Sequence, residues 1–338
     1  MKPLIDIKQL LNGPPQRVVI TMHQRPDADA MGSSLACYDY LKQKGHAVKV
    51  ISPTVFPEFL KWMPGCEDVI VFDTQKGKAS EALESMQVLF CLDFNTMSRT
   101  KAMEPVLNEK QCVKVMIDHH LEPQAGFDYG VSDAKAASSC LLVYEFIVAM
   151  GDEGLINVPM AQCIYAGTMT DTGSFRFSAT TDRVHKMVAT LMERGLQHEP
   201  IHQAIYDNYL ENRLRFIGHA LLNRMEVFYE YNAALIAIPF SDIQQFGLRT
   251  GDTEGLVNYP LSIKGIKMAA LIIDRREEVR ISFRSKGDFD VNAFARKYFQ
   301  GGGHGNAAGG RSSDTLEVTV ARFKEALKEN EALLKQTT

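Results

Sequence analysis

The feature that most constrains this chain is an alternation between Arg17 and Asp118. Short runs rich in Val and Ile, RVVITM (17 to 22), HAVKVIS (46 to 52), DVIVF (68 to 72), VLFCLD (88 to 93) and VKVMID (113 to 118), are separated by longer polar or amphipathic stretches. Each run has strand length and β-branched enrichment. Between the first two, GSSLACYDYLKQKG repeats its apolar residues at helical spacing and stops at Gly45. Strands alternating with helices predict βαβ units, right-handed crossovers and a mainly parallel sheet covered by helices on both faces. The expected fold class is α/β.

From Ser138 to about Arg224 the chain reads as helices, including CLLVYEFIVAM, MAQCIYAGTMTD and RVHKMVATLMERG. The pattern changes near Met225, where EVFYEYNAALIAIP and KMAALIIDRREEVRISFRS look like paired strands, the former turning at Tyr231-Asn232. The tail TLEVTVARFKEALKENEALLKQ is expected to begin as a strand and continue as a charged amphipathic helix. A length of 338 residues suits two cores. The expected division is a domain over 1–190, a helical linker over 191–224 and a smaller mixed α/β domain over 225–338.

Composition narrows the setting. With 45% hydrophobic and 23% charged residues the chain is globular, and no stretch reaches the roughly 20 apolar residues of a membrane span. The opening MKPLIDIKQLLNGPPQ lacks the uninterrupted apolar core of a secretory signal, so a soluble, cytoplasmic protein with no membrane partner is expected. The six cysteines (Cys37, Cys66, Cys91, Cys112, Cys140, Cys163) form no C-x-x-C pair and read as reduced core thiols. A net charge of −4 argues against sequence-independent duplex binding but allows small anionic substrates.

Chemistry-bearing residues gather at strand ends. HQRPDADAMGSS follows the first strand and places His23, Asp27 and Asp29 in one loop. Pro, Asp and Gly also make ordinary polar turns. The recurrence weighs against that reading: CLDFN ends a strand at Asp93, and MIDHH ends another with Asp118, His119 and His120. Open α/β sheets bind ligands at the carboxyl ends of their strands. Asp171, in AGTMTDTGSFRF, is a further candidate, with a plain polar helix end as the competing reading. Two or more imidazoles with several carboxylates and no thiolate suit Mn²⁺ or Mg²⁺, with imidazole favouring Mn²⁺. Paired ions about 3.5 to 4 Å apart serve phosphoryl chemistry.

A second element is FQGGGHGNAAGG, whose glycines allow backbone N–H groups to approach an anion, although glycine-rich stretches are also plain connectors. Upstream, Lys264 to Lys286 carries seven basic against three acidic residues. A solvated strand face accounts for most of them, and Arg284 in ISFRS is singled out.

In this order, HQRPDADAMGSS, LDFN, MIDHH and GTMTDTGSF resemble the motifs of the DHH phosphoesterases, and GGGHGNAAGG resembles the loop of the DHH-associated C-terminal domain, so the likeness spans nearly the whole chain. The nano-RNase and pAp phosphatase subgroup is the most similar. The resemblance implies two divalent ions, Mn²⁺ with Mg²⁺ or Co²⁺ as substitutes. His23, Asp27 and Asp93 would hold one; Asp29, Asp93, His119 and Asp171 would hold the other, with Asp93 as the bridge. Asp118 would orient His119, and His120 would face the scissile phosphate. Arg284, Ser285, Gly302, Gly303 and His304 would grip the substrate, with Asn258 and Arg99 as further candidates, in a catalytic cleft between the domains. After Asp93 the chain reads FNTMSRT, less acidic and polar than in many relatives. Implied substrates are short single-stranded oligonucleotides, pApA, cyclic dinucleotides and pAp, acted on by a homodimer. Three other readings stay open. The first is a pyrophosphatase or exopolyphosphatase, whose Ser-Arg-Lys-Lys type of clamp is not visible; the second is a RecJ-like exonuclease; the third is a regulatory nucleotide-binding module.

Overall fold

Seven strands form one all-parallel sheet in the first part of the chain: β1 (Lys2–Pro3), β2 (Arg17–Thr21), β3 (Ala47–Ser52), β4 (Ile70–Val71), β5 (Val88–Leu92), β6 (Val113–Asp118) and β7 (Tyr129–Ser132). Their order is β1-β7-β6-β5-β2-β3-β4. The computed structural model describes residues 1–249 and 251–336. The described chain divides into two units, Met1–Asn208 and Tyr209–Thr338.

The central strands read as continuous apolar runs because both faces are buried. Val18, Ile20, Val88, Phe90, Val115 and Ile117 enter one core, while Val19, Ile51, Leu89, Cys91 and Met116 enter the other. The helices of this unit are α1 (Lys8–Leu11), α2 (Ala28–Gln43), α3 (Lys76–Ser85), α4 (Glu104–Glu109), α5 (Ser139–Ala149), α6 (Val158–Asp171), α7 (Asp182–Glu193) and α8 (Glu199–Tyr206). Residues of α2, α5 and α6 fill the first core, and residues of α3 and α4 the second. Two glycines let α2 and α6 approach closely. A Cβ on Gly32 would stand 2.4 Å from the Cys163 carbonyl oxygen, and one on Gly167 would stand 2.9 Å from Asp29 Cα.

The chain leaves β2 toward β3 on one side and runs from β5 to β6 on the other, so the order reverses between β2 and β5. That crevice is where sheets of this kind place ligands.

The second unit holds α9 (Glu211–Asn223), α10 (Phe240–Gln245), α11 (Val291–Tyr298), α12 (Leu316–Glu329) and α13 (Glu331–Lys335), with strands β8 (Met225–Phe228), β9 (Ala233–Ile238), β10 (Met268–Asp274), β11 (Val279–Ser285), β12 (Gly302–His304) and β13 (Ala307–Ser312). The sheet order is β12-β13-β11-β10-β9-β8, antiparallel except for β9 against β10. The turn at Tyr231-Asn232 carries Asn232 at φ 50°, a left-handed conformation that Asn tolerates. Of the stretch 191–224, Ile201 and Ile205 of α8 pack into the first unit's core, and Phe216 and Ala220 of α9 into the second's.

Three expectations differ from the structure. Only Ile70–Val71 of DVIVF pairs as a strand, because Cys66–Asp68 makes a tight helical turn. The tail holds no strand: Thr315 caps α12, and Thr319, Phe323, Ala326 and Leu327 bury one helical face, which outweighs the β-propensity of Val318 and Val320. The glycine-rich stretch is no loop but the hairpin β12–β13, with Gly302 opposite Gly309 and His304 opposite Ala307. All six cysteines are free thiols, five of them buried. Among the described residues no helix is long and apolar enough to cross a membrane.

Candidate metal centre

Four segments deliver side chains to the reversal point. His23 follows β2, Asp93 follows β5, Asp118 closes β6 with His119 and His120 next, and Asp171 is the last residue of α6. Asp27 and Asp29 sit at the start of α2. Asp27 caps that helix: its Oδ1 accepts the N–H groups of Asp29 and Ala30 at 3.0 and 3.1 Å, while Oδ2 lies 3.9 Å from His23 Nε2. One oxygen thus stabilises the helix and the other faces the centre.

Asp93 is the hub. Its Oδ2 lies 3.3 Å from His23 Nε2, and its Oδ1 lies 3.4 Å from His119 Nε2 and 3.8 Å from His120 Nδ1. The residue is 2% exposed and adopts φ 61°, a left-handed conformation that costs most residues about 1 to 2 kcal/mol and that Asp tolerates better than most. His119 Nε2 also lies 3.4 Å from Asp171 Oδ2 and 3.8 Å from Asp29 Oδ2. Donor atoms of His23, Asp27 and Asp93 fall within 4.8 Å of one another, as do those of Asp29, His119 and Asp171.

Both imidazoles are held the same way. His23 Nδ1 lies 2.8 Å from the Gln24 carbonyl oxygen and His119 Nδ1 lies 3.2 Å from that of Ala136. With each Nδ1–H donating to a carbonyl, Nε2 is turned toward carboxylates, the arrangement that fixes metal-binding histidines. Burial pushes both imidazoles toward the neutral form, but Asp93 and the neighbouring carboxylates outweigh it and draw them toward protonation. The same imbalance appears on the acids. Burial would push Asp93 up, but hydrogen bonds from His119 and His23 hold it well below the usual carboxylate range. Burial and the Asp93 charge push Asp29 up to about 7, and burial with the Asp29 charge raises Asp171 well above its ordinary value.

Asp27, Asp29, Asp93 and Asp171 converge with only histidines within ion-pair distance among the described residues. Crowded, mostly buried carboxylates of this kind require cations. The nitrogen and oxygen donor set, with no thiolate in it, fits Mn²⁺ or Mg²⁺ better than a soft metal.

Asp118 does not orient His119. Its Oδ1 lies 2.7 Å from His120 Nδ1 and its Oδ2 accepts the His120 backbone N–H at 3.1 Å, so it orients His120 instead. The Ala136 carbonyl takes the role expected of Asp118. Arg99 comes near His23: its carbonyl oxygen accepts the Gln24 N–H at 2.8 Å, and its positive charge opposes protonation of His23.

Sequence reasoning missed the start of α5. The Ser139 and Cys140 N–H groups donate to the two Asp29 oxygens at 2.6 and 2.9 Å, and the Ser139 hydroxyl donates to Asp93 Oδ1 at 3.0 Å. The signal was present as Ser138 before an apolar run, a helix-start pattern, and Ser138 does accept the Leu141 N–H.

In the second unit, Arg284 lies on β11 opposite Ala307, and His304 lies opposite the same Ala307 from β12, so the two flank one residue on the sheet. Ser285 is tied into the fold, donating to the Phe289 carbonyl at 2.6 Å and accepting from Asn306 at 2.9 Å. The Gly303 N–H is likewise engaged, by Asn292 Oδ1 at 2.9 Å, whereas Gly302 pairs opposite Gly309. Asn258 closes a tight helical turn packed against β10 and β11, its Oδ1 buried without a hydrogen-bond partner among the described residues.

The description "DHH family, N-terminal domain" matches residues 17–168, and "DHHA1 domain" matches residues 231–336. The chain is 26% identical to the Bifunctional oligoribonuclease and PAP phosphatase NrnA of Bacillus subtilis, over 93% of this chain and 96% of that protein. It is 28% identical to the protein of the same name from Thermus thermophilus, over 97% and 94%. The crystal structure of an exopolyphosphatase-related protein from Bacteroides fragilis superposes with a TM-score of 0.93 at 37% identity, covering 98% of this chain and 97% of that one. The crystal structure of RecJ in complex with Mn²⁺ from Thermus thermophilus shares the fold, with a TM-score of 0.55 at 13% identity over 98% of this chain and 55% of its own. With both domain types matched in order and a 37% identical relative aligned end to end, this chain belongs to the DHH family and carries a DHHA1 domain.

Proposed function

We propose that this DHH-family hydrolase is a divalent-metal-dependent phosphoesterase that degrades short oligonucleotides and removes phosphate from pAp. The observation that carries the reading is Asp93, whose two oxygens address two separate ligand sets at once. His23, Asp27 and Asp93 would hold one ion, and Asp29, Asp93, His119 and Asp171 the other. Mn²⁺ is the favoured metal, with Mg²⁺ and Co²⁺ as substitutes. When bound, such a pair supplies an acidified water and neutralises charge on the phosphate oxygens.

The chain's own residues do the rest. The left-handed backbone at Asp93 aims its carboxylate between the two sets. Asp118 holds His120 through Nδ1, and His120 is the proposed donor of a proton to the leaving oxygen. Arg99, beside His23, is suited to attract a substrate phosphate toward an otherwise acidic centre. In the second unit, Arg284 with the Gly302 to His304 strand is the proposed grip for the part of the substrate that is not cleaved. The two NrnA relatives, named for oligoribonuclease and PAP phosphatase activity, support this substrate class. A cyclic dinucleotide or pApA offers the same phosphoester. The chain is proposed to work as a homodimer.

The deciding experiment incubates purified protein and Mn²⁺, Mg²⁺ or Co²⁺ with pAp, pApA, cyclic di-AMP, RNAs of two to five nucleotides, pyrophosphate and polyphosphate, and resolves the products by chromatography. Release of mononucleotides and of phosphate from pAp, abolished by chelator, is expected. Turnover of polyphosphate or pyrophosphate alone would replace this reading with an exopolyphosphatase or pyrophosphatase.

A further inference from the structure

The Ser139 hydroxyl is buried at the start of α5 and points at the hub of the centre. The residue is 0% exposed, its Oγ lies 3.0 Å from Asp93 Oδ1, and its backbone N–H donates to Asp29 Oδ2 at 2.6 Å. One residue therefore touches the carboxylate common to both ligand sets and a carboxylate belonging to one of them. Among the described residues, Ser139 is the sole side chain other than histidine with a hydrogen bond or ion pair to the Asp93 carboxylate.

The need for such a contact follows from the torsions of aspartate. The terminal torsion of a carboxylate is broad and its two oxygens are equivalent, so the backbone alone does not set the angle of the plane at which one oxygen faces each ligand set. The left-handed backbone at Asp93 sets where its Cβ leaves the chain but not the twist of the carboxylate plane. A donor on one oxygen fixes the twist. With the Ser139 hydroxyl on Oδ1, that oxygen stays on the side of His119 and Oδ2 stays on the side of His23. The donor cannot drift, because α5 is anchored by Ser138, whose hydroxyl caps the helix and bonds Thr168 Oγ1 of α6 at 2.9 Å.

We propose that Ser139 is a positioning residue for the metal centre: its hydroxyl sets the rotation of the Asp93 carboxylate so that one oxygen serves each ion. The inference rests on the metal-centre reading above. Ser139 itself touches neither substrate nor the reacting atoms.

The test uses the full chain and Mn²⁺ as the probe. Isothermal calorimetry is run on wild type, Ser139→Ala and Ser139→Cys, together with electron paramagnetic resonance of the Mn²⁺-loaded proteins. Loss of an outer hydrogen bond to a ligand typically weakens metal affinity about 10- to 100-fold. The expected result is Mn²⁺ binding weakened at least about 10-fold in Ser139→Ala. Ser139→Cys, whose S–H is a weak donor, falls between Ser139→Ala and wild type. The spectrum of a spin-coupled Mn²⁺ pair, present in wild type, is partly replaced by that of isolated ions in Ser139→Ala. Melting temperatures measured without metal separate positioning from general damage, and Ser139→Cys alone carries the comparison should Ser139→Ala not fold. Unchanged affinity and coupling in both variants overturn the inference while leaving the metal centre intact. So does a loss that tracks a collapse of the metal-free melting temperature. Wild type that binds no Mn²⁺ removes the metal centre itself, and the inference with it.

Discussion

Asp118 grips His120 twice, through Nδ1 at 2.7 Å and through the backbone N–H at 3.1 Å, so the ring is fixed both in tautomer and in direction. Asp118→Asn keeps the shape but offers one amide group that donates instead of accepting. The expected outcome is a fall in kcat of about 10- to 100-fold with Mn²⁺ affinity nearly unchanged. Steady-state kinetics beside calorimetry checks it; a variant that loses metal and keeps kcat at saturating Mn²⁺ contradicts it.

Asp93 and Arg284 are proposed to divide the labour between chemistry and grip. Asp93→Ala is expected to lower turnover of every substrate by on the order of 10³-fold or more, since both ligand sets lose a member. Arg284→Ala is expected to raise KM several-fold with a smaller change in kcat. Parallel, modest losses in both variants would refute the division.

Crowded carboxylates make metal loading a matter of stability. Free Mn²⁺ at about 100 times its dissociation constant adds about 2.7 kcal/mol to a single site. For a unit of this size that raises the melting temperature by about 5 to 10 °C. The rise should vanish in Asp93→Ala and on addition of chelator, which differential scanning fluorimetry reads directly.

Gly167 tests the close approach of α2 and α6. An added methyl would stand 2.4 Å from Cys140 Sγ and 2.9 Å from Asp29 Cα. Gly167→Ala is expected to cost about 1 to 3 kcal/mol through overpacking, and to weaken Mn²⁺ binding because Asp29 and Asp171 are displaced. Gly154→Ala, which would meet nothing within 4 Å, is the control.

The second unit carries its own acid-sensitive contact. Burial would push the Asp242 carboxyl up, but hydrogen bonds from Arg224 at 2.7 and 2.9 Å and from His219 at 3.0 Å hold it below the usual carboxylate range. A group depressed in the folded state stabilises above its unfolded value of about 3.9, and that contribution is lost as pH falls through the folded value. Asp242→Asn should therefore cost about 1 to 3 kcal/mol at pH 7. The gap to wild type should narrow below about pH 4 in urea titrations. A gap that stays constant from pH 7 to 3 rules the mechanism out.

The parts of the fold that were legible before the structure are those where burial writes itself into side chains. β5 shows as an unbroken apolar run, and β2 and β6 as apolar runs broken only near their ends, because both of their faces are covered, and α2 shows its period up to Gly45. β7 was not legible: Tyr129–Ser132 is short and includes Gly130, and its pairing between β6 and β1 makes it a strand. β12 and β13 carry too many glycines to signal a strand, and the pairing of β13 on β11 and of β12 on β13 defines them. In the centre, residue types at strand ends were readable, whereas the partners that aim them were not. Whether Asp118 or the Ala136 carbonyl steadies His119 depends on how the backbone turns after β6. The Ser139 hydroxyl reaches Asp93 across 46 positions of sequence that no local pattern connects.

The six proposed ligands, His23, Asp27, Asp29, Asp93, His119 and Asp171, all lie inside the first unit. Chains emerge from the ribosome N-terminal end first, and domains generally fold as they appear. The cage is thus fully translated while Tyr209 onward is still being made. With the proposed ligands in place, a nascent chain would be able to load its ions before the portion proposed to choose among substrates exists, and mutations that retune that later portion would leave those ligands untouched.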